Sequence, residues 1–291
     1  MPQLQNTDVT IRIATTDDAA VAGKICFDAF TAISSAHNFP PDLPAVEAGI
    51  GVLSALFSTR GFYCVVAEVG GRIVGSNCLD ERAIVHGVGP ITIDPSAQNL
   101  GVGRKLMNAV LERSRQKGAA GVRLVQAAFH NRSLSLYASL GFDIREPLSC
   151  MQGRTNQRSV AGCTVRKAER ADLEACNALS HRVHGFDRGG DLAHAIEQGT
   201  AKVVERSGNI TGYATDLAFF AHATAQSTQD LQALIASAEV LGGPGILVPS
   251  RNAELFRWCL SNGLRVTQPM TLMTAGLYNE PSGAYLPSIL F

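Results

Sequence analysis

The chain has 291 residues, 46% of them hydrophobic and 17% charged, with 25 basic side chains against 25 acidic. That length suggests about two domains, and the composition suits a globular protein that folds in water, with no apolar run of the roughly 18 residues a membrane-spanning helix needs. Balanced charge leaves no global field to draw the chain onto nucleic acid or a membrane, so small or neutral partners are expected. The start, Met1-Pro2-Gln3-Leu4-Gln5-Asn6, lacks the basic and apolar stretches of a signal peptide, which predicts a cytoplasmic protein with reduced thiols. The seven cysteines are odd in number and lack metal spacing, so they read as free core thiols and no metal is expected.

In chain order, Thr10-Ile11-Arg12-Ile13-Ala14 followed by Asp17-Asp18 reads as a strand entering an apolar-periodic helix. Helical pattern also covers Cys26 to Phe39, and Pro40-Pro41 then fixes an extended turn through Asp42. Val65–Glu68 and Gly70–Gly75 are two strands around a glycine turn. Val88, Ile91 and Ile93 alternate as in a strand, Pro95 ends it, and Val102, Leu106, Met107, Val110 and Leu111 trace a helical face that runs to Gln116. Gly101 and Gly103 fall at that strand-to-helix junction, where a curled backbone and the positive helix end make an anion site suited to pyrophosphate. A turn at Gly118–Gly121, a strand from Val122 to Val125, and a helix closed by Gly141 in the C-cap position follow.

The pattern then repeats. Thr164-Val165-Arg166-Lys167-Ala168 with Asp172 echoes the first strand 154 residues later, and Val203–Glu205 with Gly208–Gly212 echoes the hairpin at an offset of 137. Asn262-Gly263-Leu264 echoes Leu140-Gly141-Phe142 at an offset of 122. A falling offset with kept order is expected of a duplicated domain whose second copy has lost residues in its middle. The polar, aperiodic run Met151–Ser159 reads as a linker, which predicts domains at 1–150 and 163–291 joined by 151–162. The tail from Pro281 to Phe291 is apolar to its end and should pack.

Gln98-x-x-Gly101-x-Gly103 after a strand resembles the phosphate-loop signature of the GNAT superfamily of N-acetyltransferases, and Asn131, Tyr137 and Gly141-Phe142 are similar in spacing to its later motif. The resemblance covers roughly residues 10 to 150. It implies an α/β fold: two tandem GNAT-like domains, each a mixed but mostly antiparallel sheet flanked by helices, the second degenerate. It implies acetyl-CoA as co-substrate, with Ile91, Thr92 and Ile93 binding the pantetheine arm through their backbone. Gln98, Asn99, Leu100, Gly101, Val102, Gly103 and Arg104 would take the pyrophosphate, and Asn131 would hold the arm near its thiol end.

Acetyl transfer to an amine needs a base for the amine, a donor to the oxyanion and a proton for the departing thiolate. Tyr137 matches the family's general acid and is the favoured proton donor, with a core position beside Leu134 and Leu140 as the other reading. Asp80, Glu81 and His86 are candidate bases, with Asp80 and Glu81 able to pair with Arg82 instead. Phe30, His37, Phe39 and Asp42 are candidate acceptor contacts, and a backbone N–H near Ile93 is a candidate oxyanion donor. Cys64 or Cys78 could in principle carry an acyl group. In the second half no phosphate loop is visible, and Cys259 or Trp258 would stand opposite Tyr137, with Ala253 or Asn252 opposite Asn131. Arg188 and Arg251 could bind a carboxylate bidentately or serve as caps and joints. The second copy could complete the acceptor site or mediate a homodimer. The expected activity is therefore an N-acetyltransferase acting on a small-molecule amine by direct transfer. A protein or peptide N-acetyltransferase and a non-catalytic acyl-CoA sensor are the rival readings.

Overall fold

The computed structural model describes residues 9–156 and 159–290, so the readings of the first six residues, of Gln157 and Arg158 in the linker, and of Phe291 lie outside the described residues. Two compact units result: Met1–Glu81 with Val85–Val122, and Arg82–Ile84 with Arg123–Phe291.

The first unit runs β1 (Val9–Ile13), α1 (Ala19–Ala36), α2 (Val46–Ser58), β2 (Phe62–Val69), β3 (Arg72–Asp80), β4 (Val85–Val88), β5 (Thr92–Ile93) and α3 (Val102–Gln116). Its strands pair antiparallel in the order β1-β2-β3-β4, with β5 also on β3. Helix α1 begins seven residues before the expected Cys26 and stops at Ala36, leaving Phe39 beyond it. Helix α2 carries Gly49 and Gly51, poor helix formers that hide it from sequence reading. Packing explains one of them: a Cβ on Gly49 would stand 2.5 Å from the Gly23 carbonyl oxygen, so α1 and α2 meet backbone to backbone. Thr16–Ala36 is long and apolar enough to cross a membrane, with a mean hydropathy of 1.2, which corrects the expectation that no segment qualifies. A core helix passes the same test, and α1 packs against α2 and β3.

The second unit holds β6 (Gly121–Ala127, begun two residues before the boundary), α4 (Asn131–Ser139), β7 (Asp143–Gln152), β8 (Thr164–Lys167), α5 (Leu173–His184), α6 (Gly189–Gln198) and β9 (Lys202–Arg206). It continues with β10 (Asn209–Ala214), β11 (Ala223–Ala225), α7 (Thr228–Ala236), β12 (Ile246–Pro249), α8 (Ala253–Ser261), β13 (Arg265–Gly276) and β14 (Ala284–Leu286). The strand orders are β6-β13-β7-β12 and β14-β11-β10-β9-β8.

Two observations bear on the repeat. Arg12 grips Asp18 with two bonds of 2.7 and 2.8 Å and Glu68 at 2.8 Å, and Arg166 grips Asp172 at 2.7 and 2.9 Å and Glu205 at 2.9 Å. These are the same bonds at the sequence offsets of 154 and 137. The C-terminal strands are also exchanged: β13 lies between β6 and β7, while β7 lies between β13 and β12. A strand from each half of the chain thus fills a place beside the other half's strands. The units divide near residue 122, and the segment 151–162 lies inside the second, with Met151 and Gln152 closing β7.

Candidate functional site

The strand expected from Val88 to Ile93 is broken in two. Val88 faces Leu79 and Thr92 faces Ser76, so four steps along one strand meet three along its partner, the count of a β-bulge. The bulge takes residues 90–91 out of the β3 ladder, as a ligand adding itself like a strand requires. After β5, a 3₁₀ turn at Pro95–Ala97 is capped by Asp94, whose carboxylate accepts from the Ser96 N–H at 2.8 Å.

The chain then passes through Asn99 at φ 71 and Gly101 at φ 75 into α3. Left-handed backbone at Asn99 gave no sequence signal beyond asparagine's tolerance for it. Gly101 is the N-cap and makes no side-chain cap, and the first-turn N–H groups at Val102 and Gly103 have no acceptor within the helix itself. A Cβ at Gly101 would meet nothing within 4 Å, so the left-handed φ selects glycine there, and open space lies in front of the helix end. With no acidic residue in its first turn, α3 presents donors and a positive dipole end suited to a phosphate.

The base candidates part company. Glu81 does not pair with Arg82: both its oxygens are held by Arg113, at 2.6 and 3.1 Å, because α3 brings Arg113 to the end of β3. Arg82 pairs with Asp191 at 2.7 Å. Asp80 ends β3, opposite Gly87 in register. His86 is 4% exposed on β4 and its Nδ1 has no hydrogen-bond partner. Burial holds the His86 imidazole neutral, below its ordinary 6.5, against the opposing pull of Glu81 and Asp80.

His184, pushed down to about 3, and His222, well below 6.5, are also lowered chiefly by burial. The unfolded chain therefore takes up protons on these rings before the folded one does. Stability should be full above about pH 6.5 and fall as the pH drops below it. Asp18, held near 2 by Arg12, adds to the loss at lower pH still. Calorimetric melting between pH 8 and 4 checks this, and an unchanged melting temperature across that range would refute it.

Asn131 is exposed at the start of α4, with His130 as N-cap accepting from the Ser133 N–H at 3.1 Å. Tyr137 lies on the buried face, 6% exposed, its ring 6.2 Å from that of Phe142. Burial alone pushes its hydroxyl above the ordinary 10, so it is protonated at neutral pH. Phe30 is half-buried on α1, His37 caps that helix, and Phe39 and Asp42 lie in the connection to α2. Asp42 is near enough for its charge to act on Cys26, whose thiol is pushed up to about 12 by burial first and by Asp42 second. Cys78 is fully buried with its thiol pushed well above 9 by burial, which opposes a thiolate nucleophile there.

Residues 30–142, which include the bulge, the glycine turn into α3 and Tyr137, match the acetyltransferase (GNAT) family. That stretch, less than half of the chain, is the part similar to a GNAT acetyltransferase domain. No curated relative matches the chain. A candidate acetyltransferase from Pyrococcus horikoshii is similar in structure at 18% identity, with 98% of this chain and 96% of that one covered and a TM-score of 0.72. A GCN5-related N-acetyltransferase from Sphaerobacter thermophilus gives 16% identity, 93% and 96% coverage and a TM-score of 0.59. A tandem GNAT protein from the clavulanic acid biosynthesis pathway gives 14%, 92% and 98%, and 0.57. At these identities the likeness is one of fold, and the mixed α/β architecture is that of the tandem GNAT type.

The second half shows what a GNAT-like copy looks like without the loop. Gly75 faces Ile93 across β3 and β5, and Gly212 faces Ala225 across β10 and β11, so Ala225 stands where Ile93 does. Eight residues separate Ile93 from α3, but only Gln226 and Ser227 separate Ala225 from α7. The residues that would curl around a phosphate are gone. Ser227 caps α7 by accepting from the Asp230 N–H at 3.3 Å, and the Asp230 carboxylate sits in the first turn, where it repels an anion. Strand β14 pairs antiparallel with β11 and also packs against β12, so the expected packed tail forms an added strand on β11.

At the later motif, Asn252 caps α8 by accepting from the Leu255 N–H as His130 caps α4. That geometry places Ala253 opposite Asn131 and Cys259 opposite Tyr137, the first of the two alignments the sequence allowed. Arg188 is bonded to Asp191 at 2.7 Å, and Arg251 to Glu146 and Glu280 at 2.5 Å each. Both serve as joints rather than as open carboxylate forks.

Proposed function

We propose that this chain is an acetyl-CoA-dependent N-acetyltransferase that acts on the amine of a small molecule, by direct transfer in a ternary complex in the cytoplasm. The observation that carries the reading is the glycine-capped α3 behind a bulged strand, set against the shortened, serine-capped counterpart before α7. On this reading the chain is two copies of one domain, 1–150 and 163–291, with 151–162 between them. The first copy is catalytic and the second supports it or mediates a homodimer.

Acetyl-CoA would lie with its pyrophosphate on Gln98 to Arg104 and its pantetheine arm along Ile91 to Ile93, with Asn131 near the thiol end. Its thioester supplies the acetyl group. His86 is the favoured base: it is neutral and keeps a nitrogen without a partner, whereas Glu81 is committed to Arg113. Tyr137, protonated at neutral pH, would return a proton to the departing thiolate. Phe30, His37, Phe39 and Asp42 would contact the acceptor.

Screening amines for thiol release from acetyl-CoA should find an acceptor with the full-length chain. In a Gly101→Val variant acetyl-CoA affinity should fall about tenfold or more, because a β-branched residue resists the left-handed φ that opens the loop. Undiminished acetyl-CoA binding in that variant would remove the loop from the site.

A further inference from the structure

The second unit gathers buried polar groups that acetyl transfer does not use. Their contacts run from Tyr278 through Arg123 to Tyr285, and charge effects among Glu146, Tyr278 and Tyr285 close the ring. The Arg123 guanidinium lies over the Phe186 ring at 5.0 Å and over the Tyr278 ring at 5.4 Å. Phe186 is 6.0 Å from the His184 ring, and His184 meets Tyr285 edge-on at 5.4 Å. Tyr285 and Tyr278 are close enough for their charges to act on one another, and the charge of Glu146 acts on both. Six segments contribute: β6, β7, the end of α5, the turn after it, the connection after β13, and β14.

Three of these residues carry a buried polar atom with no hydrogen-bond partner: Glu146 Oε1, His184 Nδ1 and the Tyr285 hydroxyl, whereas the Tyr278 hydroxyl is within reach of Glu280. Glu146 and His184 are 2% and 6% exposed. Each is fixed through its other atom, Glu146 Oε2 by Arg251 at 2.5 Å and His184 Nε2 with the Thr224 hydroxyl at 3.2 Å. Unsatisfied buried polar atoms are few in folded proteins, so three in one ring call for a shared explanation. Their chemistry is of two kinds. A guanidinium between aromatic faces, with two phenolic hydroxyls beside it, suits a carboxylate. A carboxylate oxygen and an imidazole nitrogen suit an ammonium group.

We infer that the ring formed by Arg123, Glu146, His184, Phe186, Tyr278 and Tyr285 is a binding site for a small zwitterion, a molecule carrying a carboxylate and an ammonium group a few bonds apart, such as an α-amino acid. This goes beyond the acetyl-transfer reading and uses none of its residues.

The test is calorimetric titration of the full-length chain, without acetyl-CoA, using the twenty common amino acids, with methylamine and acetate as single-charge probes. At least one amino acid should bind, at least about tenfold more tightly than either probe. Tyr285→Phe and Tyr278→Phe should each weaken that binding about tenfold, and Tyr285→Phe should leave the ligand-free melting temperature unchanged or raised, because its hydroxyl has no partner to lose. Binding by no amino acid overturns the site. So does a lowered ligand-free melting temperature in both variants with ligand binding unchanged, which would identify the ring as an internally hydrated structural network. Acetyl-CoA titration of the same samples reads the acetyl-transfer site separately, so failure of one reading is distinguishable from failure of the other.

Discussion

Tyr137→Phe is expected to lower kcat about 100-fold or more while the Kd for acetyl-CoA stays within about twofold, the signature of a positioned acid lost without loss of binding. The variant keeps the ring that packs 6.2 Å from Phe142 and removes one oxygen. Its melting temperature should therefore change little. The raised pKa gives a second readout: with the hydroxyl protonated at neutral pH, the wild-type rate should show no descending limb near pH 10, the ordinary value for a tyrosine. Steady-state kinetics over a pH series measures both. A Phe variant that turns over like the wild type would return Tyr137 to the core, where its neighbours Leu134 and Leu140 allow it to belong.

The second large effect is on stability. Gly245, just before β12, has φ 128, and a Cβ there would drive into the Met151 carbonyl oxygen of β7. The same seam holds Gly263, at φ 96, where a Cβ would stand 2.5 Å from the Arg154 carbonyl oxygen. Gly245→Ala thus combines left-handed backbone strain of about 1–2 kcal/mol with overpacking of about 1–3 kcal/mol. A loss near 3 kcal/mol should lower the melting temperature by roughly 6–12 °C in a chain of this size. Gly208→Ala, at φ 77 with nothing within 4 Å, carries the strain alone and should cost less. Equal losses for the two would mean that the close approach of β12 to β7 contributes nothing.

Much of the first copy was legible because its signals are local. Periodicity placed α3, β6 and α4, and the spacing of Gly101 and Gly103 marked the glycine turn into α3. The Arg12 and Arg166 networks sit at the offsets by which the repeat was read. Helix α2 was missed because Gly49 lowers helix propensity and is tolerated only where the backbone of α1 comes to meet it. The bulge after Val88 was missed although the three-residue step from Val88 to Ile91 breaks period-two alternation, because the apolar run reads as one continuous strand. Pairing of charges was open at Glu81, where the neighbour in sequence, Arg82, lost to Arg113, thirty-two residues away.

By itself, then, the sequence determined the α/β class, the duplication signal, the glycine turn into α3, and the absence of that turn from the second half, since all of these rest on residue type at short spacing. Tertiary structure alone decided three further things. It committed Glu81 to Arg113 while leaving a nitrogen of His86 unpaired, it exchanged β7 with β13, and it laid β14 along β11. The physical reason is the same in each case. A strand pattern specifies which face is apolar but not which neighbour completes its hydrogen bonds, and a charge pairs with whatever partner the packed helices bring within reach.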